Sequence, residues 1–473
     1  MGSEIGNEGF SADDFGRFRR QLVVETEHAR AAFGRGEFAE GGRVAGFELE
    51  AWLIDRALRP APHNVSFLER MASPLVVPEL SRFNVEINGT PQPLCGAALS
   101  LLESELTTTW QRGLGVADLD EMALIAIGTL PTLRQGDLSL ASMSPWRRYA
   151  MLNEQILRLR EGRPLPVDIV GIDRLSATHA DVMLEAATTS FQVHLQAPAS
   201  EISRAYNASL ILAGPLVALA ANSPFLFGRA LWHETRVPLF EQAVDGCDPR
   251  DPRCQRVTFG MGYLGADPTA LFAENLANHT VLLPAQLDEA VQSYAHLRLH
   301  NGTIWRWNRL LIGFDEDHRP HLRVEQRVMP AGPSIVDMIA NAALYCGAVF
   351  ILSRQRVAPE SQLPFAVARE NFYRAARHGL DAQLDWLDGR THPAGRLLER
   401  KLLPLARTGL DELDLSAGDI TRYLEVIGGR LSAWQNGAAW QLAHYAKHQD
   451  LVWLTADYLD LQRRLLPVHE WPT

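Results

Sequence analysis

Carboxylates, imidazoles and guanidiniums repeated at a spacing of two are the groups that bind divalent cations and phosphate, and four stretches of this chain carry them. Between Gly46 and Asp55 a period of two sets Phe47, Leu49, Ala51 and Leu53 on one face and Glu48 and Glu50 on the other. Between Arg82 and Asn88 the same alternation turns Phe83, Val85 and Ile87 one way and Asn84, Glu86 and Asn88 the other. Ser190 to Gln196 separates Phe191, Val193 and Leu195 from Gln192, His194 and Gln196. Leu322 to Val328 opposes Leu322, Val324 and Val328 to Arg323, Glu325 and Arg327, placing a carboxylate between two guanidiniums.

Taken singly, each stretch also reads as an ordinary half-buried antiparallel strand with a solvated face. Solvated faces usually mix in Thr, Ser and Lys, whereas these concentrate Glu, Gln, His and Arg and contain no lysine. If the four share a sheet, their acids repel one another unless protons or cations intervene. Hard oxygen ligands favour Mg²⁺ over transition metals, and Mg²⁺ invites a nucleotide.

The elements that must position these residues form an α+β protein. Short strands alternate with helical stretches from Gly46 to Arg327, among them Leu99 to Arg112, Trp146 to Arg160 and Ile202 to Ala221. An amphipathic helix over Ala12 to Phe33 precedes them. After about residue 335 the chain reads as helices at Ile335 to Arg354, Phe365 to His378, Pro393 to Leu405 and Ile420 to Gln462, the last broken near Gly428 and Gly429. The expected organisation is an N-terminal helical cover (1–40), a catalytic core (41–350) and a helical region packed on it (351–473).

Composition closes other doors. A net charge of −11 lacks the cationic surface that nucleic acid needs. Lys401 and Lys447 are the only lysines, so neither a P-loop nor a kinase strand lysine can be built in the first 400 residues, and phosphate must be met by arginine and metal. The four cysteines are irregularly spaced and point to a reducing, cytoplasmic compartment, with Cys247 and Cys254 read as surface thiols rather than a metal or redox pair. The 21 uncharged residues from Ala208 to Gly228 are interrupted by Gly214, Pro215 and Pro224 and read as a buried core helix, not a membrane span.

At the same residues the sequence resembles the glutamate-cysteine ligase family, including its bacterial carboxylate-amine ligase branch, within the glutamine synthetase superfamily. Gly46 to Glu50 resembles the family's opening Gly-x-Glu-x-Glu strand, and Pro78 to Pro91, with Glu79 and Glu86 seven apart before Gly89-Thr90-Pro91, resembles the eukaryotic-type pattern. Ser190 to Gln196 is a hybrid of the bacterial His-Val-His and eukaryotic Gln-Val-Thr-Phe-Gln strands, with Gln192 in place of the first histidine. Asn222-Ser-Pro followed by Arg236, and Gly302 to Arg309 followed by Arg323 to Arg327, resemble the family's later motifs.

The resemblance implies a largely antiparallel, glutamine synthetase-like sheet and an ATP- and Mg²⁺-dependent ligase acting on small molecules, with glutamate and cysteine as the family's default substrates. It implies metal roles for Glu48, Glu50, Glu79, Glu86 and Glu325 and phosphate or ATP contacts for Arg309 and Arg327. Arg236, with Gln192 and Asn88, is a substrate-binding candidate, and His194 is either a metal ligand or a residue with a core or substrate hydrogen-bonding role. Two rivals stand beside this: a ligase using another amine, and a non-catalytic nucleotide or metabolite sensor on the same scaffold.

Overall fold

The computed structural model describes residues 9–245, 255–285 and 287–473. Cys247 and Cys254 lie outside them. The N-terminal helix Ala12–Gly34 starts where its capping box dictates, with the Ser11 side chain accepting from the Asp14 N–H and Asp14 accepting from the Ser11 N–H.

The four chemical stretches share one antiparallel sheet of eight strands. These are β1 (Val44–Ile54), β2 (Val76–Pro78), β3 (Asn84–Asn88), β4 (Gln92–Pro93), β5 (Ala123–Ile125), β8 (Phe191–Gln196), β11 (Asn308–Phe314) and β12 (Pro320–Gln326). The main order is β11-β12-β8-β1-β3-β2, and β4 and β5 also pair with β1. The remaining labels belong to a hairpin, β6 (Leu165–Val170) with β7 (Arg174–His179), and to a two-residue pair, β9 (Phe225–Leu226) with β10 (Arg229–Ala230). Period two does what the sequence predicts: Phe47, Leu49, Phe83, Val85, Ile87, Phe191, Val193, Leu195, Leu322 and Val324 are all buried. Gly89 follows from this packing, because a Cβ there would lie 2.5 Å from the Phe47 ring.

The helices Ile202–Ala220 and Ile335–Arg354 pack on each other and on the sheet, and nearly every residue of both is buried. Both are long and apolar enough to cross a bilayer, yet 89% of the apolar window of each lies inside the fold. The C-terminal region is helical as expected, but its last stretch breaks elsewhere than at Gly428 and Gly429. Helices run Ala417–Ala433, Gly437–His448 and Leu451–Arg463, ended by left-handed Trp434 and Gln449 and restarted by Asn436 and Asp450 as N-caps. Gly429 instead provides clearance, since a Cβ there would lie 2.4 Å from the His469 ring.

Candidate active site

Antiparallel register puts directly opposed residues on the same face. Glu48 lies opposite Asn88 on one flank of β1 and Gln192 on the other, and Glu50 lies opposite Glu86. His194 lies opposite Glu325, which lies opposite Arg309. Glu48, Glu50, Glu86, Asn88, Gln192, His194, Arg309, Arg323 and Glu325 therefore share one face of five strands. Glu79 enters directly after β2 and Arg327 directly after β12.

At the centre His194 Nε2 sits 3.1 Å from Glu48 Oε1 and 3.9 Å from Glu325 Oε1, and one ligand atom from each of these residues falls within 4.8 Å of the others. The Nε2 atom is buried and makes no well-aligned hydrogen bond, so a nitrogen and two carboxylates converge on a point where a divalent cation fits. A cation on Nε2 requires the proton on Nδ1. The Arg323 Nε–H, which donates to Nδ1 at 3.2 Å, must then turn away. Burial pushes the Glu48 carboxyl up, but the adjacent His194 outweighs it and brings it to about 2. Burial likewise raises Glu325, but Arg309 and Arg327 hold it well below the ordinary range. Arg309 grips Glu325 with two parallel bonds of 2.8 Å, and Arg327 donates to its Oε2 at 3.1 Å.

The other acids behave differently. Glu50 accepts from the Ser190 N–H at 2.7 Å and from Gln192 Nε2 at 2.9 Å, while Gln192 Oε1 accepts from Arg327 at 2.5 Å. Gln192 thus bridges a carboxylate and a guanidinium. Burial and then Glu79 push Glu50 up to about 7, while burial, Glu48 and Glu79 push Glu86 well above its ordinary value. Asn88 donates to Glu86 at 2.9 Å, and Glu79 accepts from the Leu80 N–H. Among the described residues, Glu50, Glu79 and Glu86 form no second convergent ligand group.

Beside Glu50 a narrow pocket is lined by Glu79, Glu185, Ser190, Arg236 and Arg327. Arg236 is buried and donates to Glu234 at 3.0 Å and to the carbonyls of Arg327 and Val328. Its guanidinium lies 5.3 Å from the centre of the Trp307 ring. Glu234 also accepts from the Asn222 N–H at 2.9 Å, so the Asn222-Ser-Pro turn and Arg236 are one structure. Sequence reasoning missed Glu185, Ser190 and Trp307. Glu185 lies on a short 3₁₀ turn (Val182–Ala187) where no period flags it, and burial, Glu79 and Glu50 raise it to about 8.

The sequence matches the profile of glutamate-cysteine ligase family 2 (GCS2) over residues 44–452. The chain belongs to this family. A comparison of its sequence with curated proteins returns no significant match. Among solved structures it is similar to a glutamate-cysteine ligase from Francisella tularensis in complex with AMP, at a TM-score of 0.58 and 11% identity, covering 90% of this chain and 89% of that one. A bifunctional glutathione synthetase from Pasteurella multocida aligns at a TM-score of 0.49 and 11% identity, over 93% of this chain and 55% of the other. The likeness to the Francisella structure is one of fold, an antiparallel sheet with flanking helices and a helical C-terminal region.

Proposed function

We propose that this GCS2 family member is an ATP- and Mg²⁺-dependent ligase that joins the γ-carboxylate of glutamate to an amine, by family default that of cysteine, through an acyl phosphate. The observation that carries the reading is the convergence of Glu48, His194 and Glu325 next to Arg327 and to the pocket that holds Arg236. Mg²⁺ would be held by Glu48, Glu325 and His194, with Glu50, Glu79 and Glu86 beside them, and when bound supplies positive charge to the transferring phosphoryl oxygens.

The chain's own groups do the rest. Arg327 faces phosphate with a planar fork held by Gln192 and Glu325. Arg309 was expected on phosphate too, but its fork is closed on Glu325, and its proposed part is to hold that carboxylate in place. Arg236, fixed by Glu234, offers charge to a substrate carboxylate. Gln192 and Asn88 orient acids of the site rather than standing free for substrate. The mononucleotide in the Francisella structure is consistent with nucleotide use. Cysteine usage supports a cytoplasmic location.

The test is to incubate the purified protein with ATP, Mg²⁺, glutamate and a panel of amines, weigh the products and identify the released nucleotide. ADP and phosphate formed only with acid substrate and Mg²⁺, with a γ-glutamyl amide, are expected. AMP and pyrophosphate would mean adenylation and refute the acyl phosphate. Nucleotide binding without any product would identify a sensor.

A further inference from the structure

A second cavity of about 290 Å³ shares no lining residue with the cleft. Its walls include Phe259, Phe365, Tyr373, Arg306, His279 and, at the rim, exposed Arg369. The volume is near the lower end for small-molecule sites. Two features mark it as more than a packing defect. His279 and Arg306 are 5% and 3% exposed, and His279 Nδ1 and Arg306 Nε have no hydrogen-bond partner, whereas buried polar atoms are nearly always paired. The charge is also unbalanced. Arg306 is paired with Glu274 at 2.5 Å, and Arg369 acts on the Glu241 carboxylate without a direct ion pair, but among the described residues nearby Arg256 bonds only Thr280 and Thr303 and meets no carboxylate. Aromatic walls with surplus guanidinium suit a flat organic anion.

The cavity also touches the catalytic face through contacts. The Tyr373 hydroxyl donates to Glu241 Oε1 at 2.8 Å, the same oxygen accepts from Trp307 Nε1 at 2.9 Å, and the Trp307 ring lies against Arg236. We propose that this cavity is a second ligand site for a small aromatic carboxylate, and that its occupancy is relayed to Arg236 through Tyr373, Glu241 and Trp307.

The experiment is a binding one and does not depend on turnover. Calorimetry with indole-3-acetate and benzoate, against their neutral amides, is expected to show the acids binding at least about tenfold more tightly, in line with a charge-assisted contact. Arg369→Gln, at the exposed rim, is expected to weaken the acids by about tenfold and to leave ATP affinity unchanged. His279→Phe is expected to weaken them too. With 5-fluorotryptophan incorporated, the Trp307 fluorine signal, assigned by its loss in Trp307→Phe, is expected to shift on binding in the wild type and not in Tyr373→Phe. No binding of either acid at millimolar concentration, equal binding of acid and amide, displacement by Mg·ATP, or indifference to both cavity variants would each overturn the site. A Trp307 signal that ignores bound probe overturns the relay.

Discussion

At the scale of the residue, the site depends on groups that act in pairs. Arg327 donates to both Gln192 and Glu325 from one nitrogen, so Arg327→Lys keeps the charge and loses the fork. Turnover is expected to fall by at least ~100-fold, the scale of losing a transition-state donor, while the melting curve stays close to wild type. Wild-type turnover in that variant would remove Arg327 from the site. Glu50→Gln is expected to gain less melting temperature from added Mg²⁺ than the wild type does, because ligand-linked stabilisation follows affinity. Identical Mg²⁺ series, starting from EDTA, would take Glu50 off the metal. Both Glu50 oxygens already accept from donors, so Gln places an amide N–H against one of them and offsets the relief of charge. Glu241 gives a pH signature away from these acids. Burial, opposed by the Trp307 and Tyr373 hydrogen bonds, raises it from 4.5 to about 7. The protonated carboxyl is therefore favoured by folding, a contribution fully present below pH 4.5 and lost as pH rises to 7. Gln imitates the protonated form, so Glu241→Gln should match the wild type near pH 4.5 and become more stable by on the order of 3 kcal/mol above pH 7. Parallel melts across that range check it, and a constant difference would refute it.

At the scale of the element, strand alternation makes the polar face of the candidate site and close packing fixes its register. The turn after β3 approaches Phe47 so closely that Gly89→Ala must displace the ring. The expected cost is about 1–3 kcal/mol, the usual size of overpacking, read as a lower denaturant midpoint at unchanged slope. An unchanged midpoint would show that the ring moves freely. The C-terminal helices have a positioning part that their sequence does not announce. The Tyr458 hydroxyl donates to the Ala126 carbonyl at 3.0 Å and meets Asn222 Nδ2 at 2.8 Å, and Gln441 donates to Asn222 Oδ1 at 2.9 Å. Asn222 in turn holds Glu234, the partner of Arg236. The helices Gly437–His448 and Leu451–Arg463 thus brace the loop that orients Arg236, an arginine of the candidate site.

At the scale of the whole molecule, that bracing leads us to expect that the proposed helical region 351–473 folds as one unit with the core. Removing residues 434–473 strips partners from buried Asn222 and from the Ala126 and Pro333 carbonyls, each costing about 1–3 kcal/mol. The truncated chain is expected to lose cooperative thermal unfolding, and the full chain is expected to unfold in one calorimetric transition. A truncated chain with a sharp transition of its own would make the region a separate domain. Period two and helical spacing were enough, from the sequence by itself, to determine the α+β class, the four polar strand faces and most helix positions. Those patterns are local, and burial of the apolar face enforces them. The ordered motifs were enough to point to the family. Distances between residues far apart in the chain were not in the sequence. That Glu48, His194 and Glu325 bring ligand atoms within 4.8 Å of one another, while among the described residues Glu50, Glu79 and Glu86 form no such group, depends on strand order and side-chain partners. The closing of Arg309 on Glu325 and the placing of Gly429 against His469 rather than at a helix break were decided the same way. Only tertiary structure sets these, because a side chain's partner is chosen by packing across the sheet and not by its neighbours along the chain.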